Sequence, residues 1–314
     1  MSFHLHAIVF AGLLFGGLVQ TSPAADAAPL NQEVVQGLSL EALSKILAST
    51  DLRRLPLRLV LDEKVSSGDQ EAPEIRHHVL MFDPGSKRLR YDRLDYGPSG
   101  SAPFVCSSFT DGVHSGRWES GLKPEDVPRI LKGDSALVER RGMFYTGPNV
   151  CYSADILFRV MGLTMLGKPL AAWVGDLGDT TAITPDGAGD GLVLETSSKK
   201  IILDAHGVLR QFLFYSQPKE DKVTILESIL VTETGLVGAI PVPTKMHRRV
   251  SFKGMAEESD FELRVADCRV ITTQELAEAT NPWISTGSVV IGGKNGLTLG
   301  KPMRAFGPVP AAAR

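Results

Sequence analysis

From Leu55 onward the chain places apolar side chains at every second position in one short segment after another, and a chain patterned this way has to build sheet. Leu55, Leu57, Leu59 and Leu61 alternate with Pro56, Arg58, Val60 and Asp62, which describes a strand with one apolar face. Ile75 to Phe82 and Lys87 to Tyr96 flank Asp83-Pro84-Gly85-Ser86, whose Pro at the second turn position and Gly at the third suit a tight antiparallel hairpin. Phe104 to Phe109 and Val113 to Trp118 flank Thr110-Asp111-Gly112, where Asp-Gly supplies positive φ for a second hairpin. Further strands are expected over Thr180 to Thr184, Leu192 to Thr196, Lys200 to Asp204, Leu209 to Tyr215, Val223 to Thr232, Thr244 to Phe252 and Phe261 to Ile271. The spacing is that of a meander.

Helical patterns are few. Leu40, Leu43, Ile46 and Leu47 follow Ser39 at helical spacing, so a short amphipathic helix with a Ser39 N-cap precedes the first strand. Lys123 to Leu131 is a second candidate. Asp155 to Leu166, apolar on almost every side except Arg159, reads as a buried helix. Thr272-Thr273-Gln274-Glu275 is a capping box that opens a helix through Ala279, and Pro282 ends the pattern. With so few helices, a long antiparallel sheet has to curl, close or stack on itself. The expected fold is therefore mainly β (α+β): a curved antiparallel sheet forming a half-open barrel, with short helices on or in its concave face. A two-sheet sandwich filled by its own side chains shares the same alternation.

The N-terminus bounds where this sheet folds. An uncharged run from Ala7 to Val19 leads into Thr21-Ser22-Pro23-Ala24-Ala25-Asp26-Ala27, the form of an export signal cleaved after Ala27 with Ala25 at the minus-three position; its leading residues include His4 and His6 and no Lys or Arg. Thirteen apolar residues rise only about 20 Å as a helix against a hydrocarbon core of about 30 Å, too short to span. Residues 1–27 are thus expected as a cleaved signal peptide, 28–292 as a single β domain and 293–314 as a tail. No Cys sits near the cleavage site, so no lipid anchor is expected, and the protein belongs in the periplasm or outside the cell. A formal net charge of −3 argues against nucleic acid as a partner. Cys106, Cys151 and Cys268 allow at most one disulfide; buried unpaired thiols are the equal alternative.

Motifs for bond-making chemistry fail on inspection. Ser288 to Asn295 approaches a phosphate-binding loop, yet Ser288 replaces the first Gly and Asn295 the magnesium-binding Ser or Thr, which argues against a nucleotide. Asp186 to Gly191 starts like a calcium loop, but Ala188 and Ser197 occupy ligand positions. His77 and His78 are adjacent on a strand and point to opposite faces. Asp92 with Asp95 and Asp176 with Asp179 are the acid pairs that a cleft hydrolase would use, with solvated charges as the simpler explanation. Arg88, Arg90 and Arg93 describe either a cationic rim for anionic head groups or a solvated face. No cofactor or metal is expected.

In order and texture the layout resembles the periplasmic lipoprotein-carrier and outer-membrane lipoprotein-sorting superfamily. The likeness is carried by Phe109-Thr110-Asp111-Gly112 followed by Trp118, by Ile202-Leu203-Asp204-Ala205-His206-Gly207-Val208-Leu209-Arg210, and by Pro282-Trp283-Ile284-Ser285-Thr286-Gly287-Ser288-Val289-Val290. It spans roughly Leu52 to Gly292. Ala205 and Arg210 stand where prolines are usual, and Ser288 stands for a Thr. The resemblance implies a half-open barrel lidded by helices, and a non-catalytic envelope protein that binds a lipid or a lipidated protein by burying apolar surface, with an envelope protein as a further partner. The cavity would be lined by Leu57, Leu59, Val79, Met81, Phe212 and Phe214, with Met161 and Met165 as adaptable contacts. Core packing accounts for the same residues. The competing readings are an envelope scaffold that binds protein through its sheet, and a secreted hydrolase.

Overall fold

The computed structural model describes residues 38–49, 55–67, 72–83, 85–96, 103–123, 125, 127–128, 141–146, 164–165, 168–175, 182–185, 191–215, 225–237, 240–251, 258–291 and 296–306. In chain order the elements begin with α1 (Leu40–Ser49), β1 (Leu57–Ser67), β2 (Glu74–Asp83), β3 (Arg88–Tyr96), β4 (Phe104–Thr110), β5 (Ser115–Gly121) and β6 (Met143–Thr146). There follow β7 (Thr164–Met165), β8 (Lys168–Pro169) and α2 (Leu170–Gly175). A second series comprises β9 (Ala182–Pro185), β10 (Gly191–Glu195), β11 (Lys199–Asp204), β12 (Leu209–Tyr215), β13 (Ile225–Val237), β14 (Ile240–Ser251) and β15 (Glu258–Val270). The chain then adds α3 (Thr273–Thr280), β16 (Trp283–Ile284), β17 (Val289–Ile291), β18 (Gly296–Thr298) and β19 (Met303–Arg304).

The expected meander forms as two series of hairpins, and they are one sheet. Fifteen strands lie in the order β18-β17-β6-β5-β4-β3-β2-β1-β15-β14-β13-β12-β11-β10-β9. The sheet is curved and does not close into a barrel, its edges being β18 and β9. All of its pairs are antiparallel except β17 with β6. The seam between the meanders is β1 against β15, in register from Leu57 opposite Val270 to Ser67 opposite Ser259, with a bulge that sets Val60 opposite Asp267 and Leu61 opposite Val265. Arg58 and Asp267 pair across this seam.

The local signals act much as their chemistry requires. Ser39 Oγ accepts from the Ala42 amide at 3.1 Å, starting α1 so that Leu43 and Leu47 fall on one buried stripe. Thr272 Oγ1 accepts from the Glu275 amide at 3.1 Å and opens α3. The Glu275 carboxylate, which a full capping box turns back on the cap, pairs with Arg269 instead. Gly112 has φ 97° in the β4–β5 turn, whose Val113 and His114 amides donate to Asp111 at 2.9 and 2.7 Å. In the β2–β3 turn the left-handed residue is Lys87 (φ 54°) and not Gly85, because the Asp83 carboxylate gathers the Gly85 and Ser86 amides and moves the reversal one residue on.

Two expectations are corrected. The helix over Asp155 to Leu166 does not extend through its last turn: Thr164 and Met165 form β7, paired with β8, and residues 155–163 lie outside the described residues. A run that is apolar on nearly every side has no period with which to distinguish helix from strand. The stretch after residue 292, expected as a tail, supplies edge strand β18, strand β19 and the buried Ala305. Cys106 and Cys268 are free thiols. The proposed leader, Cys151, the calcium-like loop through Asp190, Asp176 with Asp179, most of the Lys123 to Leu131 helix and the last eight residues lie outside the described residues.

The sheet has two apolar faces, each with its own cover. On one, α1 and α2 lie over Leu59, Leu61, Leu80, Leu194, Ile201, Phe212, Ile229, Met246 and Leu263. On the other, the chain after β15 returns across β2 to β6, and Ile284 and Ala305 pack with Leu94, Val105, Phe109, Trp118 and Phe144. Beneath α3 a buried ion pair joins Arg90 Nε to Asp92 Oδ2 at 2.8 Å, and Arg90 Nη1 donates to the Ala279 carbonyl at 3.2 Å. Both side chains are under a tenth exposed, so removing one partner strands a buried charge. Arg90→Ala is expected to lower the unfolding free energy by about 3 kcal/mol, read from the urea midpoint, whereas an Arg90→Met, Asp92→Leu double variant recovers most of the loss.

Candidate functional site: an apolar basin with a charged rim

Residues directly opposite one another on paired strands share a face, so the registers fix what looks into the space under α1 and α2. One row across the sheet reads Leu59, Leu80, Tyr91, Ser108, Arg117, Tyr145. The next reads Leu61, His78, Arg93, Cys106, Glu119, Met143. The third reads Glu63, Arg76, Asp95, Phe104. Moving along β1 from Leu57 to Glu63, and across from β1 to β5, the face therefore passes from aliphatic to charged.

Of the proposed cavity residues, Leu57, Leu59, Phe212 and Phe214 lie on this face with the core beneath α1 and α2, the first three buried and Phe214 half-buried. Val79 and Met81 do not. They stand opposite Val60 and Arg58 in β1 and share the other face with His77. The period of two that places Leu57 and Leu59 inward places Leu80 and Phe82, not Val79 and Met81, beside them. Met161 lies outside the described residues, and Met165 lies in β7 rather than on a helix.

The charged end of the face is a connected network. His78 is buried; its Nε2 donates to Glu63 Oε2 at 3.1 Å, and its Nδ1 meets the Tyr91 hydroxyl at 2.9 Å. A carboxylate only accepts, so Nε2 carries the proton there. Arg76 reaches Glu63 at 3.3 Å and Glu74 at 3.0 Å, and Arg93 pairs with Asp95. Arg117 Nε lies 2.9 Å from Glu119. At the same end, across the seam, Arg248 Nε donates to Glu227 at 2.8 Å and its guanidinium covers the Phe261 ring at 5.0 Å. Glu63, Arg76, Tyr91, Arg117, Glu227 and Arg248 escaped the sequence reading because each is ordinary on its own, and His78, Arg93 and Asp95 figure in it only apart from one another. The available signal was Glu63, which continues the inward register of Leu57, Leu59 and Leu61.

Burial shapes the titration of this rim. It resists ionisation of the Glu63 carboxyl, but the hydrogen bond and charge of His78 and the charge of Arg76 outweigh it and hold that carboxyl below the ordinary 4.5. Burial raises the Tyr91 phenol. It pushes the Cys106 thiol up to about 12 and Cys268 up to about 11, which leaves both as thiols at neutral pH. Among the described residues, no group of three or more His, Cys, Asp or Glu gathers where it could hold one metal ion. Asp92 and Asp95 face opposite sides of β3, so this acid pair does not meet in one cleft. The cationic rim expected of Arg88, Arg90 and Arg93 is likewise divided, Arg90 being buried against Asp92 and Arg93 paired with Asp95 on the opposite face.

A β-arm completes the basin. Within the sheet, β12 pairs with β13 no further than Leu230, and β15 pairs with β14 only from Lys245, so the hairpin beyond those points projects past both neighbours. Register shifts at Val231/Glu233 and Glu233/Thr234 bend it. The bend brings Val237 and Val242 into the buried core under the helices while Leu236, on the arm's other side, stays 71% exposed. Pro241 and Pro243 deny the free edge of the arm two amide donors.

The class these features define is an open, curved antiparallel sheet with a helix-lidded apolar face. No family model and no curated protein sequence matches the chain. Among solved structures it is similar to a LolA superfamily protein from Nitrosomonas europaea, at 8% identity and TM-score 0.38, covering 77% of this chain and 98% of that one. It is also similar to a domain described as an outer membrane lipoprotein-sorting protein from Vibrio parahaemolyticus, at 13% identity and TM-score 0.40, covering 78% and 100%. A DUF1329 family protein from Desulfovibrio piger aligns at 10% identity and TM-score 0.38 over 76% and 94%. Among the described residues, no helix is long and apolar enough to cross a membrane.

The pH dependence of the rim follows from the direction of the Glu63 shift. A carboxyl whose folded-state pKa is depressed adds stability above its unfolded value and loses it as pH falls through the folded value. Urea unfolding of the wild type and Glu63→Gln at successive pH values should show the wild type more stable at neutral pH, with the difference shrinking below pH 4.5. A gap that stays constant with pH would show that the Glu63 charge is not what the fold senses.

Proposed function

We propose that this protein is a non-catalytic, exported carrier that holds acyl chains, free or attached to a protein, in the apolar basin beneath α1 and α2. The observation that supports it best is how the lid is attached. α1 and α2 meet the sheet through Leu43, Leu47, Leu170, Ala171 and Val174, side chains with no directional bonding of their own. The helices join each other by a hydrogen bond from Ser44 Oγ to the Ala171 carbonyl at 2.7 Å. Apolar contacts of this kind are exchangeable: an acyl chain that displaces Leu43 or Leu47 restores the buried area at about 25 cal/mol per Å². The basin runs into the Glu63, Arg76, Arg93 and Asp95 rim, so one end receives hydrocarbon and the other a polar group.

Leu43 and Leu47 are buried against the sheet, so uptake requires α1 to move. Gly207, with φ 75°, lies directly under α1, and a Cβ there would stand 3.0 Å from Leu47 Cδ2. Protein purified from an exported source and extracted with solvent should release phospholipid or fatty acid detectable by native mass spectrometry. Leu43→Ala with Leu47→Ala removes the side chains with which the acyl chain competes and is expected to raise uptake of a fluorescent fatty acid roughly tenfold or more while the strand signal in circular dichroism persists. A wild-type protein that is clean after gentle purification, and that takes up no fatty-acid probe, would turn the assignment toward a protein-binding scaffold.

A further inference from the structure

A second surface lies away from the basin, at the end of the molecule where the β2–β3 and β4–β5 turns meet. The two turns touch, since a Cβ on Gly112 would stand 2.5 Å from the Ser86 carbonyl oxygen. Next to Gly112, Val113 is 83% exposed, and its amide donates to the Asp111 carboxylate at 2.9 Å. The adjacent His114 ring stacks on Phe306 at 5.7 Å, and the Phe306 carbonyl accepts from Asn281 Nδ2. The Asn281 carbonyl accepts in turn from Arg304 Nη1 at 2.7 Å, and the Arg304 guanidinium covers the face of Trp283, which is 51% exposed, at 4.6 Å. Val113 and Trp283 thus belong to one contiguous scaffold that presents an aliphatic and an aromatic side chain to solvent.

The charges around them favour one sign of partner. Lys87 on the β2–β3 turn, Arg88 at the start of β3 and Arg304 beside Trp283 are three cations against two carboxylates, Asp83, which stands opposite Arg88, and Asp111, both of which accept from the amides of their own turns. An indole at the surface backed by a guanidinium, an aliphatic tip and neighbouring cations suit the boundary between anionic head groups and acyl chains.

We propose that this end of the molecule docks on the surface of an anionic phospholipid bilayer, with Val113 and Trp283 entering the interface and Lys87, Arg88 and Arg304 facing lipid phosphate. The surface is separate from the basin and does not depend on it.

The test is co-sedimentation of the full exported chain with phosphatidylcholine vesicles, with and without phosphatidylglycerol. Binding should require phosphatidylglycerol and weaken with added salt. Val113→Asp should reduce it roughly tenfold or more, and so should a Lys87→Asn, Trp283→Ala double variant whose Asn suits the left-handed backbone at that position. Because both variants alter exposed turn or surface residues, thermal unfolding serves as the control and should be close to wild type. Equal sedimentation of the variants and the wild type, equal binding to neutral vesicles, or no sedimentation with phosphatidylglycerol would each overturn the proposal.

Discussion

Everything in this fold depends on the pairing of β1 with β15. Each meander alone is a set of hairpins with one unfinished edge, and neither encloses a core. Joined along eleven opposed pairs from Leu57–Val270 to Ser67–Ser259, they become one sheet long enough to curve over its own apolar face. The bulge at Val60/Leu61 lies within that seam, where an extra residue on β15 sharpens the local twist. Contacts so far apart in sequence carry a large loop-closure cost, which only the burial of Leu59, Leu61, Leu263 and their neighbours offsets.

With the seam made, the two faces diverge in purpose. The face against α3 and the final strands is closed by long aromatic side chains, among them Phe109, Trp118 and Phe144, and by a buried ion pair. Gly142 shows how tightly it is packed, because a Cβ there would stand 2.5 Å from Trp118 Nε1. The face against α1 and α2 is closed mainly by aliphatic contacts, among them Leu43, Leu47, Leu170 and Val174.

The hairpins, the first and last helices and most strands were readable from residues near one another in the chain. Alternation at Leu57, Leu59 and Leu61, the Asp-Gly turn and the Ser39 and Thr272 caps are local chemistry, and each appears in the structure. The candidate site was legible only in part. Leu57, Leu59 and Phe212, expected to line a cavity, lie in the buried core, whereas Val79 and Met81, grouped with them, lie on the other face, because hydrophobicity alone does not say which parity of a strand faces inward. The pairing Leu59–Leu80 decides that, and a shift of one residue would have reversed it. His78, Glu63 and Tyr91 carried no sequence motif, since they meet only when β1, β2 and β3 are in register.

By itself the sequence determined that the chain would be a run of antiparallel hairpins with few helices, because period, turn residues and caps act over a handful of positions. Tertiary structure alone decided that the two meanders share one open sheet, that residues 296–306 belong to the fold, and that a charged network borders the apolar basin. Those outcomes rest on pairings between strands that can lie some two hundred residues apart, such as Arg58 with Arg269. Strand edges offer the same amide and carbonyl groups to any partner, so the choice among partners is made by the side chains that become buried together, and these are known only once the sheet has closed over them.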